Sequence, residues 1–280
     1  MAAQPRSRDP DVTVEPMSEL DDVRADLVAE QRSVDELVSA LTDEQWLLAT
    51  PSEGWNITDQ IGHLTYFDVA AATAIANPED FAASVRALLE GASSLGLDEY
   101  TLGTFRRLDV RDRLSAWRQG RDDLERAALT LDEKDRVPWY GPSMSAKSFL
   151  TARLMEVWAH ATDVADALGV RRTATDRLRH IAQLGVITRS WSYSVRGETP
   201  PAGEVRVELE SPSGALWSRG ALDAHDTVTG TMEDFCLVVT QRRHLDDTSL
   251  VTGELGRHWL LRAQAFAGGP TLGPDRRGAQ

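Results

Sequence analysis

Apolar residues recur at helical spacing through the first two-thirds of the chain, then give way near residue 205 to strand-like alternation. Leu20, Val23, Leu27, Val34, Leu37, Val38 and Leu41 form a stripe near the 3.6-residue period, which predicts a long helix over 17–47. Ser52-Glu-Gly-Trp55 reads as a turn, and Thr58 as the N-cap of a helix over 59–76. Asn77-Pro78 ends that helix. A helix over 79–91 follows, then a flexible connection through Gly91 and Gly96. Asp109 caps a helix over 110–130 that carries Leu114, Trp117, Leu124 and Leu129. Pro138-Trp-Tyr-Gly-Pro142 is a rigid loop. Ser145 caps a helix over 146–168, and Gly169 suits its C′ position. One more helix is expected over 175–195.

Thr199-Pro-Pro-Ala-Gly203 reads as a linker, and Val205-Arg-Val-Glu-Leu-Glu210 alternates as a strand does. Short strands are expected at 215–219 and 226–229, and helices at 231–241 and 254–266. The pattern predicts an α+β protein: a helical bundle over 17–198, then a small α+β domain over 203–267. The flanks, 1–16 and 268–280, are rich in Pro, Gly, Arg and Asp and are expected to be disordered tails.

Charge and cysteine usage narrow the function. A net charge of −14 opposes binding to a phosphate backbone. Cys236 is the single cysteine, so neither an intrachain disulfide nor a cysteine-based zinc site can be built. A cytoplasmic setting is expected. The first 16 residues lack the apolar core of a secretory signal. No apolar run approaches the roughly 18–20 residues of a membrane span. Gly-rich phosphate loops and a Gly-x-Ser-x-Gly elbow are missing from the sequence, which removes support for nucleotide and serine-hydrolase readings.

One constellation carries chemistry. Glu156 and His160 lie four apart and share a face of their helix, and His63 lies on an earlier one. Two imidazoles and a carboxylate leave coordination positions open, the pattern of a catalytic metal site. Taken singly, each residue also has an ordinary explanation, as a buried histidine or a salt-bridged carboxylate. The apolar flanks Leu154, Met155, Val157 and Trp158 favour a partner for the charge. Asp163 is placed to support the site from behind.

Three stretches carry a family resemblance. They are Trp55-Asn-Ile-Thr-Asp-Gln-Ile-Gly-His63-Leu, Pro138-Trp-Tyr-Gly-Pro-Ser-Met144, and Arg153-Leu-Met-Glu156-Val-Trp-Ala-His160-Ala-Thr-Asp163 with its continuation to Gly169. They resemble the DinB-like metalloprotein superfamily, in its actinobacterial mycothiol-dependent maleylpyruvate isomerase branch. Val228-Thr-Gly230 and Val238-Val-Thr-Gln-Arg-Arg-His244 resemble that branch's C-terminal domain. The resemblance implies a four-helix bundle with extra helices, and a divalent metal, often zinc, held by His63, Glu156 and His160. It also implies mycothiol as cosubstrate. A metal-held thiolate would add to a small electrophilic or unsaturated carboxylate, giving an isomerase or an S-transferase.

A carboxylate substrate calls for a cationic clamp, and Arg242 and Arg243 are the candidates because they fall in the family-like C-terminal segment. Solvated surface arginines explain them equally well. Asp59, one turn before His63, is a candidate catalytic residue near the metal, although a first-turn carboxylate also suits the helix dipole. Tyr66, Asp68 and Trp139 are candidates to line the pocket, Tyr66 and Trp139 against the cosubstrate. Cys236 lies in an apolar stretch and is expected to be inert. His180, His225, His244 and His258 show no partner spacing. Three other readings stay open: a metal-dependent hydrolase, a specialised isomerase or cyclase of natural-product metabolism, and a non-catalytic ligand-binding bundle. Bundles of this type often form homodimers, and nothing in the sequence compels one.

Overall fold

The structure is a computed structural model and describes residues 18–276. The expectation of a disordered tail over 1–16 lies outside the described residues. The first part of the chain forms α1 (Glu19–Val38), α2 (Asp43–Trp46), α3 (Ile57–Ala76), α4 (Pro78–Leu95), α5 (Leu97–Arg106), α6 (Val110–Ala128) and α7 (Ala146–Leu168). The long helices α1, α3, α6 and α7 make a bundle in which α3 packs on α6 and α7, and α1 on α7 and α6. Helices α4 and α5 lean on the outside of α3. Gly120 brings α6 close to α3: a Cβ there would sit 3.2 Å from Val69 Cγ2 and 3.5 Å from the Thr65 carbonyl.

Local signals set the ends of α7. The Ser145 hydroxyl accepts from Ser148 N, and Gly169 closes the helix at φ 65°, a conformation glycine adopts without steric cost. A two-residue hairpin, β1 (Arg136–Val137) with β2 (Met144–Ser145), pinches the Pro138–Pro142 loop just before it.

After α7 come α8 (Leu178–Ile187) and α9 (Arg189–Ser194). The remaining strands are β3 (Val205–Glu210), β4 (Leu216–Arg219), β5 (Asp226–Thr231) and β6 (Val251–Thr252). They form one sheet in the order β4-β3-β5-β6. Strand β3 runs antiparallel to β4 and parallel to β5, with Val207 opposite Val228. Helices α10 (Met232–Val239) and α11 (Glu254–Leu260) pack on β5. Helix α8 lies against both α7 and α10, so one hydrophobic core runs unbroken from Leu20 to Ala265. The overall class is α+β, as the pattern of the chain predicts. The described end of the chain is tied down at Thr271, whose N–H donates to Gln264 Oε1 at 3.2 Å.

Several expected boundaries moved. The first helix stops at Val38, because Thr42 and Gln45 cap each other reciprocally and start α2. Helix α3 is capped by Asn56 instead of Thr58; Asn56 and Asp59 form the capping box, and the Thr58 hydroxyl donates to the Trp46 carbonyl. Gly91 is helical, and the Tyr100 ring fills the space a Cβ there would take. The turn comes at Gly96, at φ 86°, and opens the unanticipated α5. The helix expected over 175–195 breaks at Thr188, whose hydroxyl bonds back to the Leu184 carbonyl.

Candidate metal centre

His63 projects from α3, and Glu156 and His160 from one face of α7. Their ligand atoms all lie within 4.8 Å of one another. Glu156 Oε2 is 3.2 Å from His160 Nε2 and 3.6 Å from His63 Nε2. The two imidazole centroids are 4.4 Å apart. His160 is buried, whereas the His63 and Glu156 side chains keep 20% and 26% of their surface exposed, so the cluster opens to solvent on one side.

Burial, and then the adjacent His63, push the His160 pKa down to about 3 against the pull of Glu156. The ring is therefore neutral at pH 7, the form that binds metal. Burial raises the Glu156 pKa, but the neighbouring His160 and His63 rings outweigh it and hold the carboxyl well below its usual range. A carboxylate and two imidazole nitrogens thus converge on one space. The donor set fits a divalent ion with coordination positions to spare.

Aromatic rings wall the cluster. Trp55 stacks 6.0 Å from His160 and lies 5.3 Å from His63, and Phe67 is 4.6 Å from His63. Tyr66 and Trp139 sit beyond Phe67 in an aromatic group, with Trp139 stacked on Phe81 at 5.5 Å. Neither ring contacts the histidines directly in the manner of Trp55 or Phe67. Asp68 is fully buried and accepts from Arg153 at 2.7 Å and Gln31 at 3.0 Å, so it braces the core behind the site.

Asp59 departs from its expected part. One oxygen accepts from Asn56 N in the helix cap, and the other from Arg106 Nε at 2.7 Å. Both oxygens hold the start of α3, and Asp59 does not join the His63–Glu156–His160 group.

Arg242 and Arg243 are not solvated surface groups. Gln241 takes φ 60°, and the Arg242 and Arg243 N–H groups both donate to the Leu237 carbonyl. This left-handed turn directs both side chains onto α7. Arg242 donates to Asp163 at 2.8 Å, where Ser52 also donates, and Arg243 grips Asp166 at 2.7 and 2.8 Å. Arg242 lies near enough to His160 to depress its basicity, and its buried Nε has no hydrogen-bond partner.

Two features escaped the sequence. Gln60 is buried against His160, with Oε1 2.5 Å from Nδ1. Its position three residues before His63 places it on the same face of α3, which was the available signal. The second is the partner of His180: with Asp22 and Asp26 it forms another compact acidic group. There the Arg179 guanidinium, 2.7 Å from both carboxylates, already supplies the cation and ties α8 to α1.

The chain matches the family described as the mycothiol maleylpyruvate isomerase N-terminal domain over residues 27–165, a span that holds all three clustered residues. Two uncharacterized proteins of Mycobacterium tuberculosis, from strains CDC 1551 / Oshkosh and ATCC 25618 / H37Rv, are each 45% identical over 250 residues. The match covers 89% of this chain and 96% of each relative. The chain belongs to the mycothiol maleylpyruvate isomerase N-terminal domain family. Among solved structures it resembles the mycothiol-dependent maleylpyruvate isomerase, at TM-score 0.55 and 16% identity. It also resembles a histidine-to-alanine mutant of that enzyme, at TM-score 0.56 and 15% identity. Each match covers 84% of this chain and 92% of the other. At that identity the likeness speaks for the shared fold alone.

Proposed function

We propose that the chain is a divalent-metal-dependent isomerase or S-transferase that uses a thiol, mycothiol, on a small electrophilic or unsaturated carboxylate. Family membership supports the thiol-dependent, isomerase-like part of this reading. The observation that carries the rest is the convergence of His63, Glu156 and His160 on one solvent-open space. A divalent metal there, with zinc our choice, would supply Lewis-acid stabilisation of a thiolate.

The chain's own residues do the remaining work. His63 and His160 present imidazole nitrogens from two helices, and Glu156 supplies the negative charge. Trp55 and Phe67 shield one side from water. Asp59, through the cap and Arg106, holds the first turn of α3 and so the direction of His63. Arg242 is the carboxylate clamp: a substrate carboxylate competes with Asp163 for its guanidinium. In the isomerase reaction a thiolate adds to a conjugated double bond, the resulting single bond rotates, and the thiolate leaves. Arg243, bidentate on Asp166, anchors the clamp; Tyr66 and Trp139 form the outer wall on the cosubstrate side. We place this activity in the cytoplasm. Among the described residues no helix is long and apolar enough to cross a membrane.

Elemental mass spectrometry of the purified chain tests the reading first. We expect about one divalent metal per chain, lost in both His63→Ala and His160→Ala. Full metal content in both variants would sink the ligand assignment. Turnover of cis-enoic acids should then require mycothiol; equal turnover without thiol would favour a specialised, thiol-independent isomerase.

A further inference from the structure

A hydrogen-bond chain runs behind His160 and leaves little freedom in where its protons lie. It starts at the Trp55 carbonyl, which can only accept. The Thr50 hydroxyl donates to that carbonyl at 3.0 Å. Its single hydrogen is then spent, so the hydroxyl oxygen accepts from Gln60 Nε2 at 2.8 Å. The amide is thereby oriented with Oε1 toward His160 Nδ1, at 2.5 Å. That oxygen can only accept, so Nδ1 carries the hydrogen. A neutral imidazole has one N–H, and Nε2 is left bare. The bare nitrogen faces Glu156 Oε2 at 3.2 Å, acceptor against acceptor, an arrangement that a cation between them would satisfy. The opposite tautomer would close a hydrogen bond from Nε2 to Glu156 without any metal. It would also set the Nδ1 lone pair against Gln60 Oε1, in a place where Gln60 is fully buried and no water can intervene.

We propose that Gln60 is a positioning residue which, backed by Thr50, holds His160 as the Nδ1–H tautomer and makes Nε2 its metal-binding atom. It thereby blocks the metal-free hydrogen bond between His160 and Glu156. This inference rests on reading the cluster as a metal site, and concerns how the chain keeps that site ready. Outer hydrogen bonds of this kind typically govern metal affinity by about 10–100-fold.

The test is made on the full chain, with Zn2+ as probe. Nitrogen-15 NMR of the histidine rings in chelator-treated protein reads the tautomer, with His160 assigned by the signals missing in His160→Gln. Zn2+ affinity is read by chelator competition. We expect Nδ1–H in the unmodified chain, a switch to Nε2–H in Gln60→Leu, and a fall in Zn2+ affinity of about 10–100-fold. Gln60→Glu keeps an acceptor opposite Nδ1 and should keep both the tautomer and tight binding. Thr50→Val, which leaves the buried amide in place but unlocked, should move both readouts in the direction of Gln60→Leu. It carries the test if Gln60→Leu fails to fold. An Nε2–H tautomer in the unmodified chain overturns the inference, as do Zn2+ affinity and tautomer unchanged in Gln60→Leu or Thr50→Val. A chain that binds no Zn2+ with Gln60 intact defeats the metal reading itself, a result distinct from either.

Discussion

Arg153 and Asp68 meet in the core at 2.7 Å, with side-chain exposures of 3% and 0%. Removing one partner of such a pair strands a buried charge, which costs about 3–5 kcal/mol, whereas replacing both with apolar residues is often close to neutral. Arg153→Met should therefore destabilise the chain by about that amount in urea denaturation, and Asp68→Leu should restore much of the loss. An Arg153→Met variant as stable as the parent would show that Asp68 is neutralised in another way. Cys236 is the opposite case. It is fully buried, and burial raises its thiol pKa well above the usual value. Folded protein should resist maleimide labelling at pH 7, and Cys236→Ser should keep its activity. Fast labelling without unfolding would contradict the burial. The burial of Cys236 and the shared face of Glu156 and His160 were legible in the sequence because both follow from helical periodicity and apolar neighbours. Gln60 was not, because sharing a face with His63 does not by itself say that its amide meets a histidine 100 positions on. The ion-pair partners of Arg242 and Arg243 were hidden for the same reason.

Helix α8 is the element through which the bundle meets the sheet. A Cβ on Gly185 would lie 2.9 Å from both Phe235 Cε1 and Val239 Cγ2 of α10. Alanine gains about 1 kcal/mol over glycine in a helix interior, but overpacking a core costs about 1–3 kcal/mol. Gly185→Ala should thus lower the melting temperature, and a rise would mean that α8 and α10 part easily. On its other side α8 meets α1 through Arg179 and His180. Burial works to raise the Asp26 pKa, but the His180 hydrogen bond and the Arg179 charge leave it below its ordinary 3.8. The fold then favours the ionised carboxylate. That stability is present above the ordinary value and is lost as pH falls through the folded one. Between about pH 5 and 3 the melting temperature should fall less steeply in Asp26→Asn than in the parent chain; parallel curves would remove Asp26 from the account. Helix α7 could be read from end to end because Ser145 and Gly169 are strong local signals. The end of α4 could not, since Gly91 looks like a break until the Tyr100 ring of α5 is seen lying over it.

At the scale of the whole molecule, the unbroken core makes a forecast about cooperativity. Trp46 and Trp117 are buried in the bundle and Trp259 beside the sheet. If one core serves both, tryptophan fluorescence and far-ultraviolet circular dichroism should report a single, coincident urea transition. Two separated transitions would show a bundle and an α+β part that unfold independently, the organisation the linker at 199–203 suggests. The chain's texture revealed the change from helices to strands, but not that α8 would bridge them, because a helix buried on two sides looks like any other apolar run. The arginine pair beyond α10 completes that bridge. Arg242 and Arg243 reach Asp163 and Asp166 across 79 and 77 residues of sequence, only because Gln241 turns left-handed. In evolutionary terms each bridge is inherited as a unit. A lineage that loses Asp163 leaves a guanidinium beside the histidines with no counter-charge, and one that loses Arg242 leaves a buried carboxylate. Changes at 163 and 242, and at 166 and 243, should therefore appear together among descendants of this chain.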